Sequence, residues 1–125
     1  MGVDIGIYCT VDKEVLLSDP KNAGIDLNYW ETLDGNILMS ADCCTPYGEY
    51  RGHRVYKLPN WIGDVLWLLD DIRDNAFPYI KSVYIRDQCD GSLLEATPDN
   101  ISLIVRMFCE GKFLGIWNVE GSFRI

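Results

Sequence analysis

An Asp34-Gly35 dipeptide between two apolar-rich segments, 27–33 and 36–43, constrains this chain more than any other feature. A type I′ hairpin turn needs positive φ at both central residues, and Asp-Gly supplies this with little strain. The two segments are therefore predicted to pair antiparallel. Upstream, 3–11 places Val3, Ile5, Ile7, Cys9 and Val11 on alternate positions, the period of a strand with one buried face. Between them, 12–26 is broken by Asp19-Pro20 and Ala23-Gly24 and reads as loop.

The second half switches period. Pro59 and Asn60 open the clearest helix, with Asn60 as the expected N-cap; it runs from Trp61 to about Ala76 and is closed by Pro78. A strand over 79–86 follows, ending in a turn at 87–91. Thr97 before Pro98 marks the start of a second helix, with its body over 101–110 and Gly111 as its C′ residue. The residues 54–58, 113–119 and 122–125 read as further short strands, and 45–53, with Tyr47 and Tyr50, as an ordered aromatic loop. Strands gathered ahead of helices favour an α+β fold: a mainly antiparallel sheet of five to six strands with two helices packed on one side.

The chain has 125 residues, enough for one domain with its own core, and 1–125 shows no linker, repeat or low-complexity tract. Leu, Ile, Val and Phe make up 37 of these, well above the roughly one-fifth below which a charged chain stays disordered. Nineteen acids against eleven bases give a net charge of −8. That sign repels phosphate backbones and anionic headgroups, so neither a nucleic acid nor a membrane surface is an expected partner. No apolar run approaches a membrane span, no basic-then-apolar leader opens the chain, and position six lacks the hydroxyl residue of a myristoylation signal. A cytoplasmic protein is expected.

Catalytic signatures are missing. No phosphate-cradling glycine loop, nucleophile elbow or H-E-x-x-H occurs, and no cofactor is implied. The five cysteines, Cys9, Cys43, Cys44, Cys89 and Cys109, form no framework of even spacing and no C-x-x-C, so free thiols, buried or inert, are expected rather than disulfides. Cys43, Cys44 and the single histidine, His53, with Cys9, are the nearest approach to a metal set; adjacent cysteines point apart on a strand, and no metal site is expected. Any Ser-His or Cys-His mechanism must run through His53; Cys44 with His53 could form a nucleophile–base pair, and spacing identifies no acid to orient it. His53 stands between Arg51, Arg54 and Lys57, whose charges oppose its protonation.

One surface stands out. Stepping ~100° per residue along the first long helix gathers Ile62, Val65, Leu66, Leu68, Leu69 and Ile72 into a core stripe. Trp67 falls on the other side, among Asp64, Asp70, Asp71 and Asp74, with Arg73 at the margin. Tryptophan is enriched at interface centres, and surrounding acids steer a basic partner. The alternative is that the loop carrying Tyr47 and Tyr50, or another segment, covers Trp67 and leaves the helix buried on both sides. The expected partner surface comprises Trp67 and these four aspartates, joined by Tyr47, Glu49 and Tyr50. The chain is thus expected to be a small acidic binding protein that inhibits a basic partner, a bacterial immunity protein against a secreted nuclease-type toxin. Two alternatives stand beside it: a phage inhibitor mimicking nucleic-acid charge, and a small cysteine/histidine hydrolase or transferase.

Overall fold

The computed structural model describes residues 4–45, 58–116 and 119. Five strands form one antiparallel sheet: β1 (Ile5–Val11), β2 (Glu31–Leu33), β3 (Asn36–Ser40), β4 (Ile80–Asp87) and β5 (Leu93–Glu95), in the order β2-β3-β1-β4-β5. Among the described residues, complete α-helices are α1 (Lys13–Ser18), α2 (Ala41–Cys44), α3 (Asn60–Arg73) and α4 (Pro98–Cys109). The class is α+β.

Register explains the layering. β1 pairs Cys9 with Met39 and Val83, Val11 with Ile37, and Ile7 with Ile85, which in turn faces Leu94. Cross-strand partners share a face, so these apolar residues form one side of the sheet. Ile62, Val65 and Leu68 of α3 and Ile101, Ile104 and Met107 of α4 are buried in the same cluster. Both long helices therefore lie on that side. Fully burying a side chain such as Ile62 or Leu68 contributes about 1.5–3 kcal/mol. An aromatic group ties the two helices: Trp61 meets Phe108 edge-on at 6.0 Å, and Phe108 stacks on Phe113 at 4.4 Å.

The hairpin turns where the sequence places it, with Asp34 at φ 51° and Gly35 at 82°. β3 stops at Ser40, though, because the chain winds directly into α2, where the Thr45 hydroxyl and amide both donate to the Ala41 carbonyl. Residues 27–29 form a 3-10 turn rather than the start of β2. The segment 12–26 is not loop throughout. The Asp12 carboxylate accepts from the Glu14 and Val15 amides at 3.0 and 3.2 Å and starts α1, whose Leu16 is fully buried. Asp19 and Asp26 cap the next two turns in the same way.

The long helices differ from expectation at their ends. Asn60 is the first residue of α3, not its cap; Pro59 holds the cap position. The helix ends at Arg73, well short of Pro78. Asn75 adopts a left-handed φ of 59°, its amide donates to Ile72, and the Ala76 amide donates to Asp71. This double bond pattern satisfies the last carbonyls of a helix, and asparagine tolerates the required φ. α4 ends the same way through Gly111 at φ 69°. Past it, 113–115 has no regular structure and Ile116 and Val119 are helical, so the strand expected over 113–119 is absent. Gly115, at φ 144°, breaks extended geometry there, and the three-residue spacing of the buried Ile116 and Val119 suits one face of a helical turn. Of the strand expected over 54–58 only Leu58, a bend, is described, and of the aromatic loop over 45–53 only Thr45; the strand expected over 122–125 falls outside the described residues. No helix among the described residues is long and apolar enough to cross a membrane.

Candidate functional site

The α3 face carries its residues unevenly. Asp70 and Asp74 are exposed, while Asp64, Trp67 and Asp71 are half-buried. Helical spacing sets Asp64 one turn before Trp67, Asp70 and Asp71 one turn after it, and Asp74 two turns after. Arg73 reaches Asp70 at 3.1 Å, with both side chains largely in water. Leu66, assigned to the core stripe by the helical wheel, is instead 39% exposed. It lay at the widest angle of that stripe, where a small error in helix orientation moves a residue to the rim. An exposed Leu66 beside a half-buried Trp67 adds apolar area to this face. Tyr47, Glu49, Tyr50 and His53 lie outside the described residues.

Asp64 also borders a cleft of about 290 Å³ formed with Trp61, Asp42, Ser40, Tyr8 and Gln88, where α3 meets the Ile5–Tyr8 end of β1. On the sheet surface turned away from the long helices, Arg86 spans to Glu31 through two hydrogen bonds of 2.6 and 3.3 Å, its guanidinium 5.3 Å over the Tyr8 ring. The Arg86 hydrogen bond holds the Glu31 carboxyl below its ordinary value.

A second concavity was not foreseen. A pocket of about 420 Å³ opens between α1 with its following turn, the end of α2, and the 76–79 segment. Cys43, Cys44, Thr45, Tyr79, Asp19 and Lys21 are among its lining residues. The Tyr79 hydroxyl donates to the Cys44 carbonyl, and burial pushes the phenol up to about 12, with Cys44, Cys9 and Asp19 adding to it. Behind the wall, the Cys9 and Cys44 thiols hydrogen-bond to one another; that bond, then burial, raises the Cys9 thiol well above its ordinary value. All five cysteines are free: Cys9 and Cys44 are buried, and Cys43, Cys89 and Cys109 are exposed. The only early signal of the pocket was the Cys43-Cys44 pair just beyond a strand.

No group of three or more potential metal ligands occurs among the described residues. Comparison with protein-family models, with curated proteins and with solved structures returned no match.

Proposed function

We propose that this chain is a binding protein whose α3 face engages and inhibits a basic protein. One observation carries the reading: Trp67 sits half-buried on a helix face whose exposed end holds Asp70, Asp71 and Asp74. The carbonyl end of a helix is its negative pole, where carboxylates are disfavoured by about 0.3–1 kcal/mol each. Helix stability therefore gives no reason for three acids there, and attraction of a cationic surface does. An aromatic anchor with an acidic rim is the arrangement that combines desolvated contact area with electrostatic steering.

The setting in which such a surface is most useful is neutralisation of a protein that itself binds nucleic acid, since such proteins are basic. The chain is accordingly read as a cytoplasmic immunity protein directed against a secreted nuclease-type toxin. The test is to capture the partner from the native host on the immobilised chain, identify it by mass spectrometry, and assay its nuclease activity with added chain. A basic partner inhibited at stoichiometric chain, and captured poorly by Trp67→Ala, supports the reading. A captured protein that is not basic, or that Trp67→Ala and Asp74→Asn bind as well as the parent, overturns it.

A further inference from the structure

Cys9 lies at the centre of β1, fully buried, and Cys44 ends α2 at 4% exposure. Their meeting is a consequence of topology. β3 runs antiparallel beside β1 with Met39 opposite Cys9, and the chain then turns straight into α2, which packs back on β1 and β3. One helical turn from Ala41 brings the Cys44 thiol to its own turn's Ala41 carbonyl at 3.8 Å and into contact with the Cys9 thiol. Cys44 also lines the pocket together with Tyr79 and Phe77, whereas Cys9 is fully buried and is not among the lining residues.

We propose that Cys9 and Cys44 form an oxidisable dithiol, converted to an intramolecular disulfide by a small peroxide entering the pocket. Cys44 gives up its proton as its sulfur attacks one peroxide oxygen; the O–O bond breaks, the departing hydroxide takes that proton as the first water, and Cys44 becomes a sulfenic acid. The Cys9 sulfur then attacks the Cys44 sulfur, the S–O bond breaks, and the departing hydroxide takes the Cys9 proton as a second water. Two thiols and one peroxide give one disulfide and two waters. Cys44 lines the pocket and Cys9 does not, which gives Cys44 the first attack and Cys9 the resolving role. The disulfide fixes α2 to the central strand and closes the loop that contains α1 and the hairpin. Cys43, adjacent in sequence but exposed, takes no part.

The experiment uses the full chain carrying Cys43→Ser, Cys89→Ser and Cys109→Ser, three exposed positions whose replacement leaves the core intact. Hydrogen peroxide is added and quenched, and thiols are titrated after denaturation. The expected result is a fall from two thiols to none, in monomer on a non-reducing gel, restored to two by dithiothreitol, with Cys9 and Cys44 peptides joined in the unreduced digest. In the parent chain, Cys9→Ala must abolish that joined peptide. Two thiols that persist at a peroxide dose oxidising the exposed cysteines of the parent would overturn the proposal, as would thiol loss that appears only as intermolecular dimer or as irreversible oxidation.

Discussion

α3 and α4 lie on the same side of the same sheet and end in the same hydrogen-bond pattern, yet their charges are arranged in opposite senses. In α4 the Thr97 hydroxyl accepts from the Asn100 amide at 3.1 Å, Pro98 opens the first turn, Asp99 stands near the positive pole and Arg106 near the negative one. Every one of these choices stabilises a helix. α3 starts from Pro59 with no side-chain cap, has no acid in its first turn, and concentrates Asp70, Asp71 and Asp74 at its last, against a single Arg73. A helix assembled only to be stable looks like α4. The partner surface proposed above coincides with the part of α3 that departs from that pattern.

Removing the feature the two helices share should give the largest effects. Leu68→Ala and Ile104→Ala each delete a fully buried side chain and should cost about 2–5 kcal/mol, read as the shift in urea unfolding free energy. Trp67→Ala sharpens the contrast within α3. It should weaken partner binding by at least ~2 kcal/mol in titration calorimetry while costing less folding stability than Leu68→Ala, one residue away. A folding loss as large as that of Leu68→Ala would return Trp67 to the core and dissolve the distinction between the helices. Next comes the cap. Thr97→Ala should destabilise by about 1 kcal/mol, since it leaves the Asn100 amide without its acceptor. No equivalent loss is available at Pro59.

What the sequence made legible was local. β1, β4, the Asp34-Gly35 turn and both ends of α4 follow from period, turn chemistry and capping, all contained within a few neighbouring residues. α1 was missed although Asp12 accepts from Glu14 and Val15, because an Asp three residues before the short apolar run Val15-Leu16-Leu17 resembles any polar turn. β5 has only three residues and exists through pairing with Tyr84, Ile85 and Arg86, a contact no short window contains. The site divides on the same line. The aspartates of α3 were found because a helix converts spacing into a face. The Cys9–Cys44 contact and the pocket beside Tyr79 depend on where α2 lands, and beyond the Cys43-Cys44 pair itself nothing nearby in the sequence announces it.

The smallest expected effect is the most discriminating, because stability and association should move in opposite directions. Asp71→Asn with Asp74→Asn removes two carboxylates from the negative pole of α3 while leaving the Arg73–Asp70 pair in place. Relief of the unfavourable dipole contact should stabilise the fold by about 0.3–1 kcal/mol per residue at low ionic strength, and less in salt. Rim charges act chiefly on encounter, so the rate of association with a basic partner should fall and its salt dependence flatten, with dissociation little changed. Stopped-flow association at two salt concentrations, set beside urea unfolding of the same double variant, measures both. As an internal comparison, Arg106→Gln in α4 removes a favourable dipole contact, so it should lower stability slightly and leave association untouched. If the α3 double variant instead loses stability and associates at the parent rate, its aspartates serve the fold after all. The partner surface would then have to lie elsewhere, and the contrast between the helices would reflect only how each meets its neighbours.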